Sequence, residues 1–179
     1  MDVVDEIFRV LETKGEEVRF GEGITAKQHA LQTAHLAEKN RAPAHLIVAA
    51  LLHDIGHFFK GKGERHDTAG ANWLERHFGP RVAEPVRLHV AAKRYLCSVY
   101  SYYRTRLSHD SKRSFDRQGG LFSPGECDTV RITPFFMDAI RLRWWDDQAH
   151  VPSRATPDLD HYRPLVEAAL IDEPTPSAA

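Results

Sequence analysis

Seven consecutive apolar residues, Leu46-Ile47-Val48-Ala49-Ala50-Leu51-Leu52, run directly into His53-Asp54-Ile55-Gly56-His57. A run of this kind reads as a helix apolar on every side, and such a helix is stable only at the centre of a core. Pro43 suits its first turn, where the missing N–H costs nothing. The end of the run then poses a chemical problem. An imidazole and a carboxylate brought side by side to the end of a buried helix cost several kcal/mol unless partners await them. A capping Asp beside a satisfied core His is one resolution, and a metal ion is the other. Histidine supplies 11 of the 179 residues, well above ordinary usage, so metal chemistry is the first question.

The rest of the chain reads as helices around that centre. Val3, Val4, Ile7, Phe8 and Leu11 recur at helical spacing before Gly15, which predicts an amphipathic helix over 2–13. Thr25 followed by Gln28 reads as a capping box opening a helix to about Asn40. Periodicity predicts a helix over 66–78 stopped by Gly79-Pro80, another from Pro85 to about Leu96, a short one over 108–118 closed by Gly119-Gly120, and a strong one from Pro134 to about His150. No sustained alternation and no repeat is present, so the fold class is all-α. We expect one domain over residues 1–170 and a fraying tail over 171–179.

Composition excludes several functions. Twenty-four Lys and Arg against 25 Asp and Glu leave a net charge of −1, so no bulk positive field recruits nucleic acid or a membrane surface. No apolar stretch is long enough to span a bilayer. Two cysteines, Cys97 and Cys127, stand 30 apart without a CxxC pattern, and the chain opens acidically, so a reduced, cytoplasmic protein is expected.

His29, His66 and His89 stand where predicted helices could face one interior, and Asp146 comes late in the last long helix. With His53 and Asp54 they make four imidazoles and two carboxylates, a donor set suited to transition metals. Residues three or four apart share a helical face, which pairs His53 with His57, His89 with Lys93 and Asp146 with Arg143. Ser111 and Ser114, three apart, could add two hydroxyls. Cations converging beside a metal point to an oxyanion such as phosphate or phosphonate. His35, His45, His77, His109, His150 and His161 show no such register and read as surface or ordinary core, and Trp144 and Trp145 read as packing residues.

These residues carry a resemblance. A lone His, then His-Asp, then a distant Asp is the motif of the HD-domain superfamily, and His29, His53-Asp54 and Asp146 match it. More narrowly, the chain resembles the mixed-valence di-iron oxygenases of that superfamily that cleave the carbon–phosphorus bond of phosphonates, distant relatives of myo-inositol oxygenase. The likeness runs from about Gly21 to His150. It includes Gly21-Glu22, His29-Ala30-Leu31-Gln32, His53-Asp54-Ile55-Gly56-His57, His66 ahead of Gly70-Ala71, His89 to Leu96, Gln118-Gly119-Gly120, and Arg143 before Trp145-Asp146-Asp147. The run His89 to Leu96 is its most specific part.

The resemblance implies an HD-domain helical bundle with a buried di-metal site. His29, His53 and Asp146 would bind one iron, His66 and His89 the second, and Asp54 would bridge both. His57, Lys93, Ser111, Ser114 and Arg143 would hold a phosphonate, and Asp54, Glu22 and Lys93 would serve catalysis. Two iron ions in the Fe(II)/Fe(III) state and dioxygen as co-substrate follow. So do a small 1-hydroxy-2-amino (or ammonio) phosphonate as substrate, phosphate as product, and a companion enzyme that hydroxylates the phosphonate. The sequence departs from the family in two places. The loop from His57 to His66 is shorter than the family's. Where the family pairs a Glu with a Tyr that caps the second iron, this chain keeps Glu22 but has Arg19 and Phe20 before it. A phosphohydrolase of the HD type, acting on a small phosphate monoester or nucleotide with two divalent metals, is the alternative that the missing Tyr favours. A non-catalytic, metal-stabilised module that binds a phosphorylated metabolite is a third.

Overall fold

A computed structural model describes residues 2–20, 23–61 and 63–171. The described residues form α1 (Val3–Glu12), α2 (Lys14–Glu17), α3 (Ala26–Lys39), α4 (Ala44–Leu52), α5 (Gly56–Phe59), α6 (His66–Phe78) and α7 (Pro80–Val99). After these come α8 (Tyr103–Arg106), α9 (His109–Phe115), α10 (Pro124–Arg131), α11 (Phe136–Gln148) and α12 (Leu159–Ala168). Among them the only β pairing is an isolated antiparallel bridge between Arg19 and Thr25. The fold is all-α.

The apolar run forms α4, with every residue from Leu46 to Leu52 buried. Helices α3, α7, α11 and α12 all pack against it. Local chemistry sets the neighbouring boundaries. Thr25 and Gln28 close the expected capping box of α3, and Ser108 caps α9 through the Ser111 N–H. Asp2 likewise accepts from the Val4 N–H at the start of α1.

Two boundaries differ from the sequence expectation. Helix α7 starts at Pro80, so Pro85 lies inside it rather than opening it. Pro85 leaves the Arg81 carbonyl without its helical donor, and Arg81 is exposed, so water can take that role. Helix α11 starts at Phe136, not Pro134, because Phe135 sits in the left-handed region at φ 63° and interrupts the right-handed path. As the sequence suggests, the apolar helix ends at His53-Asp54-Ile55, which forms a turn into α5. Residues 172–179, most of the expected tail, lie outside the described residues.

The main core joins α1, α3, α4, α6, the first half of α7, α11 and α12. A smaller cluster of Leu96, Cys97, Tyr103, Leu107 and Phe115 packs the excursion between α7 and α10 onto the end of α7. Five elements, α3, the α4–α5 turn, α6, α7 and α11, thus converge on one interior point.

Candidate metal centre

His29 enters that point from the first turns of α3, and its Nδ1 lies 2.8 Å from the Ala149 carbonyl oxygen. His53 Nδ1 lies 2.9 Å from the Ala50 carbonyl oxygen, and His89 Nδ1 2.6 Å from that of Val86. A carbonyl only accepts, so each of these rings carries its proton on Nδ1 and, when neutral, offers an Nε2 lone pair. Those lone pairs converge. His29 Nε2 stands 3.1 Å from His53 Nε2, and His66 Nε2 stands 3.3 Å from His89 Nε2. Facing lone pairs at such distances repel unless a cation lies between them.

Carboxylates complete two groups. Asp146 Oδ1 is 3.2 Å from His29 Nε2, and its Oδ2 is 3.9 Å from His53 Nε2. Asp54 faces both groups, with Oδ2 3.5 Å from His53 Nε2 and Oδ1 3.6 Å from His66 Nε2. His29, His53 and Asp146 therefore form one set with metal-ligand spacing, and Asp54, His66 and His89 form a second. Nitrogen and carboxylate oxygen donors, a fixed tautomer at three rings and paired lone pairs fit transition-metal ions.

The electrostatics keep two of the rings in the donor form. Burial holds His66 down to about 3 and His89 down to about 4, so both rings stay neutral and able to donate lone pairs at physiological pH. Burial also works against ionising the Asp54 carboxyl, but His53, His57, His66 and His29 outweigh it and hold the group below the usual carboxylate range. For Asp146 burial is likewise overcome, here chiefly by the Arg143 charge.

Beside the two groups opens a cavity of about 470 Å³ lined by His57, Lys93, Ser111, Ser114 and Arg143, as well as by ligand-type residues from both groups. Lys93 is 2% exposed and Arg143 3%. Arg143 Nη1 donates to Asp146 Oδ2 at 2.7 Å, and its other amino group donates to Asp147 and, at 3.1 Å, to Ser111 Oγ. Lys93 Nζ donates to Ser114 Oγ at 3.2 Å. Burial, with the adjacent Arg143 charge, pulls the Lys93 ammonium down to about 7. His57 stacks on His66 with ring centroids 4.2 Å apart, and its Nε2 is 3.7 Å from Asp54 Oδ1.

The expected site residues within the described residues line this one cavity except His53, which is fully buried behind it with its Nε2 against that of His29, whereas Glu22 lies outside the described residues. Phe20 lines the cavity, its ring edge-on to His29 at 5.2 Å, so this position offers an apolar edge and no phenol oxygen.

Other contributors carry weaker sequence signals. His150, whose sequence context reads as ordinary, lines the cavity and stacks on the His29 ring at 4.6 Å. Its spacing of four from Asp146 is the one local signal for that placement. Gln32 clamps Val151 from both sides, donating to its oxygen at 2.9 Å and accepting from its nitrogen at 3.1 Å. That clamp fixes the turn whose Ala149 carbonyl orients His29. Lys60, Glu64 and Arg65, from the short loop between α5 and α6, also line the cavity.

A buried lone His, a His-Asp pair and a distant Asp gathered by a helical bundle define an HD-domain protein, and the HD domain family pattern matches residues 27–113. The chain is 42% identical to hydroxymethylphosphonate dioxygenase of Gimesia maris, over 93% of its length and 88% of the relative's. It is 37% identical to the glycine-betaine-forming [1-hydroxy-2-(trimethylamino)ethyl]phosphonate dioxygenase of Leisingera caerulea, over 93% and 89% of the two chains. An uncharacterised protein of Acanthamoeba polyphaga mimivirus is 31% identical over 91% of this chain and 80% of its own. The chain belongs to the HD-domain dioxygenase family of which the first two are members. No helix among the described residues is long and apolar enough to cross a membrane.

Proposed function

We propose that this chain is an iron-dependent oxygenase cleaving the carbon–phosphorus bond of a small 1-hydroxyphosphonate that carries an amino or ammonio group at carbon 2. The reaction consumes one dioxygen and yields phosphate and the corresponding carboxylic acid. What supports this reading most is Lys93, an ammonium 2% exposed whose hydrogen bond among the described residues goes to a neutral hydroxyl, in the cavity that the His and Asp groups line. A buried ammonium so placed needs an anion.

In this proposal His29, His53 and Asp146 would hold one iron and His66 and His89 the second, with Asp54 serving both groups. When bound, the iron pair supplies the redox chemistry with dioxygen that a carbon–phosphorus bond requires. The protein supplies the rest. Lys93 and Arg143 neutralise the phosphonate, the latter through a planar fork already oriented by Asp146 and Asp147. Ser111, Ser114 and His57 complete its hydrogen bonds. Phe20, beside His29 on the cavity wall, would shield one side of the metal groups from water. Glu22 would meet that nitrogen. A cytoplasmic setting suits the two free cysteines, and an enzyme that hydroxylates the phosphonate would supply the substrate.

The test incubates iron-loaded protein with a panel of 1-hydroxyphosphonates and phosphate monoesters, with oxygen and under nitrogen. Phosphate release from a hydroxyphosphonate only when oxygen is present is the expected result. Release from the esters under nitrogen, with none from phosphonates in air, would establish a phosphohydrolase instead.

A further inference from the structure

We propose that Arg94 is a positioning residue for anion binding, because it clamps the strap of residues 100–122 that carries Ser111 and Ser114 to the cavity. The inference rests on the reading that the cavity takes a tetrahedral anion, and it explains two sequence motifs that the metal groups leave unused, Arg94 beside Lys93 and the pair Gly119-Gly120.

The chain leaves α7 at Tyr100, makes α8, α9 and a 3-10 turn over Asp116–Gln118, and returns to the side of the helix it left. At the return, Arg94 Nε donates to the Gly120 carbonyl oxygen at 2.8 Å, and an amino group donates to the Gly119 carbonyl oxygen at 2.9 Å. The guanidinium also lies 3.9 Å over the Phe122 ring. One turn on, Ser98 Oγ accepts from the Phe122 N–H at 2.8 Å while donating to the Arg94 carbonyl oxygen. Gly119 and Gly120 adopt φ of 103° and 60°, the left-handed region, and a Cβ at 119 would lie 2.8 Å from Arg94 Cζ. At 119 both the φ of 103° and the close approach of Arg94 favour glycine, and the turn presents two successive carbonyls to one fork.

At its start the strap is tied to α11 by Tyr103, whose hydroxyl donates to Asp147, and Arg94 ties its far end. Its inner side buries Tyr103, Leu107 and Phe115 against Leu96 and Cys97, an apolar contact without direction of its own. Yet α9 needs hydrogen-bond precision, since Ser111 Oγ meets Arg143 at 3.1 Å and Ser114 Oγ meets Lys93 at 3.2 Å. Adjacent residues of α7 therefore act on one element. Lys93 meets α9 from the cavity, and Arg94 holds the turn that ends it.

The experiment compares native protein with Arg94→Gln and Gly119→Ala, each loaded with iron under anaerobic conditions. Three quantities are read: metal content, affinity for inorganic phosphate, and amide hydrogen exchange over residues 108–120. Both variants should keep their metal, bind phosphate roughly tenfold more weakly, and exchange faster in the strap alone. Arg94→Lys, a point charge that cannot span both carbonyls, should fall between native and Arg94→Gln. Native phosphate affinity and exchange in Arg94→Gln would overturn the clamp. Failure of native protein to bind phosphate would overturn the anion reading instead, and the exchange data would still decide the clamp. Should Arg94→Gln lose its cooperative melt, the same two readouts on Arg94→Lys decide the matter, native values again overturning the clamp.

Discussion

Gly56 and Gly70 touch backbone to backbone, so that a Cβ built on Gly56 would lie 2.6 Å from Gly70 N and 2.9 Å from its Cα, and would run into the His66 carbonyl oxygen. This contact seats α5 on α6 and is the reason that His57 and His66 can stack. It also carries His66 to within 3.6 Å of Asp54.

Gly56→Ala should therefore act on stability and on the metal together. None of the atoms met is the end of a flexible side chain, so the helices must separate, at a cost of about 1–3 kcal/mol for overpacking. Thermal denaturation should show the loss, and elemental analysis should show metal depleted from the Asp54, His66 and His89 group. A variant with native melting temperature and full metal content would mean that the two helices have slack that the geometry denies.

The contrast between α4 and this contact explains what can be read from the sequence. The central helix is legible because burial on every side leaves a local signature, and the caps at Thr25 and Ser108 because capping is chemistry among near neighbours. The pairings of His89 with Lys93 and Asp146 with Arg143 are legible from helical register alone. Contacts between distant segments leave no such trace. His150 reaches its place through the Gln32 clamp on Val151, 119 residues away in sequence, and Arg94 through a turn 25 and 26 residues on. Helix α12 is hidden by Pro164, which reads as a breaker yet sits inside a helix capped by Asp158. The Ser123/Glu126 capping box of α10 is a local signal that the periodicity of the segment does not reinforce.

Arg143→Lys should separate charge from shape. The native fork serves Asp146, Asp147 and Ser111 at once, which an ammonium cannot do from one point. Phosphate affinity should fall by about 1.5–3 kcal/mol, the scale of a charged hydrogen bond, although the net charge is kept. Isothermal titration would check this, and an affinity equal to native would show that only charge matters at this position.

The anion affinity should also depend on pH through Lys93. Burial and Arg143 bring its ammonium down to about 7, so the proton that an anion requires is present below that value and lost above it. Sulfate, a dianion throughout the accessible range, isolates the effect. Its affinity should fall as pH rises from about 7 to about 9, by no more than about tenfold per pH unit for one linked proton. Lys93→Met should bind sulfate weakly at every pH and show a flatter profile. A native profile as flat as that of the variant would remove Lys93 from the anion site.

Asp54 and His66 give the sharpest test of two metals. Asp54 is the carboxylate whose two oxygens face different imidazole pairs, Oδ2 toward His53 and His29 and Oδ1 toward His66 and His57. Removing it leaves each group two protein donors or three, without a shared anion to offset the repulsion between neighbouring cations. Asp54→Ala should consequently retain at most one metal per chain after anaerobic iron loading. His66→Ala removes a donor from one group only, since its Nε2 pairs with His89 and Asp54. It should keep one tightly held metal, with the His29, His53 and Asp146 group intact. Bound metal stabilises by mass action, so the rise in melting temperature on loading should be largest in native protein, smaller in His66→Ala and smallest in Asp54→Ala. Two metals retained by Asp54→Ala, at native affinity, would show that the groups are independent and that no carboxylate joins them.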